Sequence, residues 1–315
     1  MTKILIVSRD FRHKGGVVNF VSLLYEKLSL NRNLKVSHFV QGQSPFRWKN
    51  IIFPVILLGQ YLCFGKKIKS LKPDVIHINP SFEIRALLRD AIYLVLINLT
   101  GYRNILVMFH GWNDVLAQKM MKINFLKKIF QLTYGRATTI LVLCENHKNH
   151  LIMLGIPAKK INIITTMYRQ IKSVQVPQQR NINDRITILF MARLVKAKGV
   201  YIAVKVGKLL LENGRGNFKL IIAGDGAEYN RLKDYVIKYG LENHTELVGY
   251  VKEGKKEEIL KDSDIFLFPT YYGEGCPIVI LEAMGAGTAV VSTPVAAIPK
   301  IVSNCKRQGF LHTLR

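Results

Sequence analysis

The chain has 315 residues, and 49% of them are hydrophobic, which is ample material for two ordinary cores and argues against a disordered protein. Lysine and arginine number 46 against 21 acidic residues, and the net charge of +25 favours an anionic partner such as nucleic acid, acidic lipid or a phosphorylated substrate. The four scattered cysteines include no CxxC pair, which argues against a zinc ribbon or a disulfide framework and fits a reducing cytoplasm.

The N-terminus enters an apolar run almost at once and reaches charged residues by Arg9 and Asp10, too soon for a secretory signal. The longest apolar run, residues 51–64, is interrupted by Pro54, Gly59 and Gln60, and it falls short of the ~20 residues that span a bilayer. The sequence therefore predicts no transmembrane helix.

Short, β-branched runs alternate with longer helical patterns through the first half, as in βα units around a parallel sheet. Helices are predicted over 17–30 and 146–154, the second ended by Gly155 and Pro157. The predicted strands are residues 3–7, 34–40, 74–78, 104–109 and 139–144.

A polar segment around residues 171–184 interrupts this pattern, which then restarts. We predict an N-terminal Rossmann-like domain over 1–172, a linker over 173–184 and a C-terminal domain over 185–315. The simplest architecture is an α/β fold of two Rossmann-like domains facing each other across a cleft. In the second half, strands are predicted over 186–192, 219–223, 245–248, 265–268 and 289–292, with a further short strand near 309–311, and helices over 200–212, 227–239 and 255–262.

The densest chemical signal is the segment 271–285, which reads YYGEGCPIVILEAMG. Pro277 suits the first position of a helix, and Gly273 and Gly275 free the loop before it. The exposed amides of such a helix N-terminus bind anions. Glu274 precedes the predicted helix and Glu282 lies inside it, so we do not expect both to be exposed caps. The alternative is a buried junction in which Glu282 makes a structural hydrogen bond.

A second signal is Arg193 and Lys198, which a strand and its following loop deliver to the start of a helix. A planar guanidinium and a compact ammonium suit a diphosphate. The alternative is two solvated cations in a loop. Their position after a strand favours the binding site, because open α/β sheets bind ligands at the carboxyl ends of their strands.

Three weaker signals depend on those two. Gly15 and Gly16 follow the first strand and open a helix, which would let a phosphate or sugar approach the backbone. His110 ends the strand predicted over 104–109. The glycines of the segment 224–226 are interpreted as a tight βα turn rather than as a phosphate loop.

A metal site at Cys144, Glu145, His147 and His150 is not predicted. The two histidines are one helical turn apart, but a closed zinc site needs four well-placed ligands and no second cluster completes the set. No Ser-His-Asp arrangement or Walker lysine motif is present either.

A basic stretch over 119–136 places Ile123, Leu126 and Phe130 on one helical face among lysines. Two interpretations stay open: an ordinary amphipathic helix docked on the N-terminal sheet, or a helix lying on an anionic membrane surface.

Together these residues resemble the retaining GT-B glycosyltransferases, the glycosyl transferases group 1. The likeness covers almost the whole chain. Glu274 and Glu282 match the family's E-x7-E pair, Arg193 and Lys198 match its R-x4-K-G, and the segment 263–270 matches the strand before the donor loop.

The resemblance implies a nucleotide-sugar donor, UDP- or GDP-linked, with no cofactor and no metal. It implies that Arg193 and Lys198 neutralise the diphosphate, that Glu282 holds the ribose and that Glu274 contacts the sugar as a catalytic residue. It also implies that Gly16 approaches the diphosphate and that His110 contacts the sugar as a second catalytic residue. The resemblance also implies that the backbone of Cys276, Pro277, Ile278 and Val279 meets the phosphate or sugar of the nucleotide-sugar donor.

Two departures from the family pattern stand out. Where relatives read Gly-Gly-Ile-Pro-Glu, this chain reads AAIPK over 296–300. The family also continues for several dozen residues, so we expect a C-terminally shortened second domain.

The leading hypothesis is a cytoplasmic enzyme, peripheral on the inner face of the cell membrane, that adds a sugar with retention to a lipid-linked or polysaccharide acceptor. The alternatives are a catalytically impaired sugar-nucleotide or membrane-binding module, and a nucleic-acid-binding protein, for which no reading motif is present.

Overall fold

The computed structural model describes residues 1–13, 15–42, 53–169, 185–273, 275–303 and 309–311. The chain divides into two compact units, Met1–Met167 and Tyr168–Arg315. The linker predicted over 173–184 and the boundary predicted at residue 172 lie outside the described residues.

The first unit is a six-stranded sheet covered by helices. Its strands are β1 (Thr2–Ser8), β2 (Leu34–Val40), β3 (Val75–Ile78), β4 (Ile105–Met108), β5 (Thr139–Val142) and β6 (Ile161–Ile163). Its helices are α1 (Gly16–Ser29), α2 (Phe53–Leu71), α3 (Ile84–Leu99), α4 (Asp114–Lys122), α5 (Asn124–Thr133) and α6 (Glu145–Met153), with 3-10 turns at Tyr134–Arg136 and Ala158–Lys160.

All strands of this sheet pair in parallel, in the order β2-β1-β3-β4-β5-β6. The central strands are almost fully buried because helices cover both of their faces, which explains why they are apolar runs rather than alternating patterns. A cluster of aromatic side chains, including Phe82, Phe109, Trp112 and Phe130, fills the core beside the sheet.

The basic stretch over 119–136 is not one helix. The chain breaks at Ile123, whose backbone is extended, and two helices, α4 and α5, lie on either side of it. Leu126 packs against the core and Phe130 is buried in it, as an amphipathic helix requires, but Ile123 is exposed at the junction.

The second unit repeats the plan. Its strands are β7 (Ile186–Met191), β8 (Phe218–Ala223), β9 (Thr245–Gly249), β10 (Ile265–Phe268), β11 (Ala289–Ser292) and β12 (Gly309–Leu311). Its helices are α7 (Val200–Glu212), α8 (Tyr229–Lys238), α9 (Glu253–Lys261), α10 (Ile278–Gly285) and α11 (Ile298–Ser303), with a 3-10 turn at Lys196–Lys198.

This second sheet is also parallel, in the order β12-β11-β10-β7-β8-β9. The predicted α/β class with two Rossmann-like units is thus confirmed. Within the described ranges, no helix combines the length and the apolar character that a bilayer crossing requires.

The order of each sheet reverses beside its first strand. In the first unit β1 lies between β2 and β3, and in the second β7 lies between β8 and β10. Successive connections leave in opposite directions at such a point, so a crevice opens at the carboxyl ends of the strands, where open α/β sheets bind ligands. The loops after β1 and β3, and after β7 and β10, are therefore the places to look for a site.

Candidate functional site

In the second unit, the loops that follow β7 and β10 are joined by hydrogen bonds. The carbonyl of Ala197 accepts from the backbone amide of Tyr271 at 3.0 Å and from the hydroxyl of Thr270 at 3.3 Å. Thr270 is fully buried, and its own carbonyl accepts from the hydroxyl of Thr293. The two loops predicted to carry the donor site therefore form one structure at the carboxyl edge of the sheet.

Gly199 allows these loops to touch. Its φ is +79°, and a Cβ at this position would lie 1.9 Å from the carbonyl oxygen of Pro269. Only glycine satisfies both the left-handed backbone and the close approach.

We expect Gly199→Ala to lower the free energy of unfolding by about 3 kcal/mol or more, because backbone strain and a steric clash add together. The matched control is Gly214→Ala, with φ of +70° and nothing within 4 Å of the added carbon. It should cost only about 1 kcal/mol from the left-handed conformation. Urea denaturation of both variants measures the difference, and equal losses would contradict the role of the Pro269 contact.

The loop that carries Arg193 is held on its other side by the loop after β8. The amide of Leu194 donates to the carbonyl of Asp225 at 2.9 Å. A Cβ on Gly224 would lie 1.9 Å from the carbonyl oxygen of Ala192. The close backbone packing supports the interpretation of the glycines in 224–226 as a tight βα turn. Arg193 itself has an exposed side chain just beyond the end of β7.

Lys198 is not a solvated loop cation. Its side chain is only 9% exposed, and its Nζ lies 4.7 Å from the centroid of the Tyr272 ring and 6.0 Å from that of Phe268. An ammonium over an aromatic face is stabilised electrostatically and held in place. The alternative of two solvated cations is therefore wrong for Lys198, although Arg193 does face solvent.

Glu282 lies in the second turn of α10 and is 7% exposed, so it is not an exposed cap. Its Oε1 accepts from the Nζ of Lys256, which reaches across from α9, at 2.6 Å. Burial of a charged pair is tolerated when its geometry is this close, because each charge offsets the desolvation of the other. Among the described residues, Oε1 of Glu282 has Lys256 as its donor and Oε2 has none.

Helix α10 begins one turn before Glu282. Pro277 is the N-cap residue rather than the first helical residue, because its ψ of 111° is extended. Ile278 and Val279 form the first turn, which has no acidic side chain. Amides at the start of a helix have no acceptor within the helix, so this end suits an anion. Glu274 lies outside the described residues.

In the first unit, His110 and the start of α1 come together. Helix α1 begins at Gly16, its N-cap Gly15 has a φ of +141°, and no side chain caps its first turn within the described residues. The ring of Phe20, one turn into α1, meets the His110 ring edge-on at 4.9 Å between centroids. The structure therefore brings the start of α1 and His110, the two predicted site groups of this unit, to the same edge of the first sheet.

His110 is held as a neutral hydrogen-bonding group. Its Nε2 lies 2.9 Å from Oδ1 of Asn79, whose amide nitrogen donates to the carbonyl of Val7, so His110 donates through Nε2. Burial, with a smaller contribution from His77, lowers the pKa of His110 to about 3. The ring therefore carries no charge at neutral pH and leaves Nδ1 as an acceptor.

His147 and His150 both contact Trp112. His147 stacks on Trp112 with ring centroids 4.4 Å apart, and Nε1 of Trp112 donates to Nδ1 of His150 at 3.1 Å. Across the described ranges, no three His, Cys, Asp or Glu side chains are grouped so as to hold a metal ion.

Residues 173–313 match the family model described as "Glycosyl transferases group 1". The match covers most of the second unit, and we call the matched range the group 1 domain. Its Lys198, Arg193 and Glu282 all fall inside the matched range.

Sequence relatives agree with this assignment. The chain is 28% identical to the amylovoran biosynthesis glycosyltransferase AmsK of Erwinia amylovora, over 62% of this chain and 48% of that protein. It is 29% identical to the putative colanic acid biosynthesis glycosyltransferase WcaL of Escherichia coli, over 66% of this chain and 51% of that protein. The chain spans about half the length of the curated relatives it matches.

Solved structures extend the likeness to the fold of both units. The complex of Anabaena HepE with UDP-glucose matches 99% of this chain and 86% of its own, with a TM-score of 0.70 at 15% identity. At that identity the likeness shows a shared fold, and the fold is GT-B.

The AAIPK departure has a structural consequence in the group 1 domain. Ala296 has a φ of +49°, a conformation that glycine adopts without strain and alanine adopts at a cost of about 1–2 kcal/mol. A glycine at this position, as in the family pattern, meets a backbone requirement that Ala296 meets only with strain.

Three residues around the site escaped the sequence analysis. Asn79 orients His110, Tyr272 packs on Lys198, and Lys256 pairs with Glu282. Asn79 directly follows β3 and Tyr272 lies in the loop after β10, so position after a strand was an available signal. Lys256 carried no signal, because a lysine in a charged helix looks the same whether it faces solvent or a glutamate.

Proposed function

We propose that the chain is a glycosyltransferase that moves a sugar from a nucleotide-sugar donor to a lipid-linked or polysaccharide acceptor, with retention and without a metal or other cofactor. One observation supports it above the others. Lys198 and Glu282 are both buried in the group 1 domain, in the loop after β7 and in the helix after β10, the two strands at which the sheet order reverses.

The donor diphosphate would lie against the cations of the loop after β7. Lys198 is fixed by the Tyr272 ring and supplies a localised charge, while the exposed Arg193 can close on the diphosphate as a planar fork. The backbone N–H groups of Cys276, Ile278 and Val279, at the start of α10, would add neutral donors. The UDP and UDP-glucose complexes of HepE support a UDP-sugar, and a GDP-sugar is the other candidate.

The ribose hydroxyls would bind Oε2 of Glu282, the oxygen that Lys256 does not occupy. A carboxylate accepts from two neighbouring hydroxyls, and Lys256 fixes the orientation of this one by donating to Oε1. Glu274 is assigned to the transferred sugar by its place in the E-x7-E pattern.

The groups of the first unit would serve the reacting end of the donor. We assign Gly16 to close backbone approach to the diphosphate, and His110 to a hydrogen bond with the sugar. His110 is suited to this because it is neutral and its tautomer is set by Asn79.

The reaction would pass through an oxocarbenium-like transition state as the nucleotide departs. Negative charge then grows on the diphosphate, and preorganised cations and helix amides stabilise it more strongly than they stabilise the ground state. The phosphate itself would accept the proton of the acceptor hydroxyl.

The acceptor and the place of action follow from the relatives and from the charge. AmsK and WcaL are named for the biosynthesis of the polysaccharides amylovoran and colanic acid. With a net charge of +25, the chain is suited to an anionic surface. We therefore place it at the inner face of the cell membrane, as a peripheral cytoplasmic enzyme.

The binding test is a thermal-shift series with UDP- and GDP-sugars. A specific donor raises the unfolding midpoint by mass action. In Glu282→Gln we expect the donor affinity to fall by about ten- to a hundredfold, because a charged acceptor of ribose hydroxyls is lost. Since this change also leaves Lys256 without its partner, the double variant Glu282→Gln, Lys256→Met is measured beside it.

The control is Glu258→Gln, on an exposed glutamate of α9 that pairs with Lys255. It should respond to the donor as the unaltered chain does. An unchanged donor response in both Glu282 variants would refute the proposed site, and donor turnover by the purified chain separates an enzyme from a binding module.

A further inference from the structure

The outward side of α3 is apolar along its whole length. Ile84, Leu88, Ile92, Val95 and Leu99 are between 43% and 79% exposed. Their spacing of four, four, three and four residues places them on one face of the helix. The opposite face of α3 is in the core, so the helix carries apolar rows on two opposite faces, which is typical of a helix covered on both sides.

Two neighbouring helices extend this surface. Helix α3 packs against α2 and against α5, so the three form one layer over the first sheet. Leu58 and Leu62 of α2 are exposed, as are Phe125, Ile129 and Leu132 of α5. We call the ten exposed side chains of these three helices the apolar face. A contiguous apolar surface of this kind on a protein marks a binding surface.

The charges on these three helices indicate which kind of partner the apolar face binds. Its single acidic residue, Asp90, is fully buried and paired with Arg89 at 2.7 Å. Its basic residues are Lys66, Lys67, Lys69, Arg85, Arg89, Lys127 and Lys128. A second copy of the chain on this surface would bring like charges together, whereas an anionic lipid headgroup complements them.

We propose that the apolar face is the surface by which the chain lies on an anionic phospholipid bilayer. Its leucines, isoleucines and Phe125 would enter the boundary between headgroups and acyl chains, and the lysines of α2 and α5 would contact the phosphates. The inference rests on the proposed function, since a lipid-linked acceptor lies in the same bilayer. A membrane-lying helix at 119–136 was one of two interpretations of the sequence, and the surface proposed here is centred on α3 instead.

The test is flotation of the full chain with vesicles of phosphatidylcholine alone or mixed with phosphatidylglycerol. We expect binding to the mixed vesicles, weakened by salt because its ionic part is screened. Leu88→Ser, Ile92→Ser, Val95→Ser combined should reduce binding about a hundredfold or more, because several methylene-sized groups leave the contact. These three side chains are exposed, so the fold should be kept.

The matched control is Leu209→Ser, Ile237→Ser, two exposed apolar side chains of the second unit, which should bind vesicles normally. Unchanged vesicle binding in the α3 variant would overturn the proposal. The proposal would also be overturned if the unaltered chain did not bind vesicles but formed a dimer, and the α3 variant were a monomer. The donor thermal shift should survive in the α3 variant, so failure of this surface and failure of the donor site are distinguishable.

Discussion

Replacing Lys198 with methionine should lower kcat/KM for the nucleotide sugar about a hundred- to a thousandfold, while the chain stays folded. Lys198 is buried, and in the proposed function its positive charge lies where negative charge grows on the leaving diphosphate. Removal of one preorganised charge at such a site costs about 3–4 kcal/mol in the transition state. Methionine keeps the length of the side chain and most of its contact with Tyr272 and Phe268, so the change is mainly electrostatic.

The control is its neighbour Lys196, two residues earlier in the same 3-10 turn and exposed. Lys196→Met removes the same formal charge from the same loop and should change kcat/KM by less than about threefold, because an exposed charge is screened by water and salt. Steady-state kinetics with a UDP-sugar measure both variants. Equal losses would show that only the overall charge of the loop matters, and they would contradict a specific role for Lys198.

Mild acid should unfold the first unit. Burial lowers the pKa of His77 to about 4 and those of His110 and His147 to about 3, against 6.5 for an ordinary histidine. Below pH 6.5 the unfolded chain therefore binds protons at these histidines, whereas the folded chain does not. The free energy of unfolding that is present above pH 6.5 is lost as the pH falls toward the pKa values of the folded state. At about pH 5.5 the three histidines together should cost on the order of 3–4 kcal/mol relative to about pH 7.5.

Tryptophan emission during urea denaturation reports this loss, since both tryptophans, Trp48 and Trp112, belong to the first unit. The variant His147→Phe tests whether the buried histidines cause this loss of stability. His147 is 1% exposed, stacks on Trp112, and makes no hydrogen bond through either ring nitrogen within the described residues. Phenylalanine keeps the stacking and cannot titrate, so it should preserve stability at neutral pH and remove about a third of the acid effect. An acid effect of full size in this variant would contradict the assignment.

Most strands were predictable because parallel strands covered on both faces are continuous apolar runs. The predicted run over 265–268 is β10, and the run over 3–7 lies within β1. Strand β6 was missed because three residues, Ile161 to Ile163, are too few to show a pattern. The prediction of one continuous helix over 119–136 was wrong. Periodicity does not reveal a break at a single residue, here Ile123, whose neighbours on both sides are helical.

The chemistry of the candidate site was readable at residues where type and position coincide. Lys198 and Glu282 were identified because each follows a strand of an open α/β sheet and each matches a motif of the resembling family. Their partners were not, because Tyr272 and Lys256 gain their roles only from packing across elements. The outward face of α3 was missed for a related reason, since a helix with apolar residues on two faces does not indicate from sequence which of them is covered.

The sequence by itself determined two α/β units and placed the polar residues of the group 1 domain at the ends of its strands, because apolar periodicity and strand-loop-helix order are local properties of the chain. Only the tertiary structure decided that Glu282 shares its carboxylate with Lys256, that Lys198 is buried against an aromatic ring, and that α3 turns a row of leucines and isoleucines outward. Burial and pairing depend on which elements become neighbours, and residues distant in the chain acquire these properties only when the sheet is assembled.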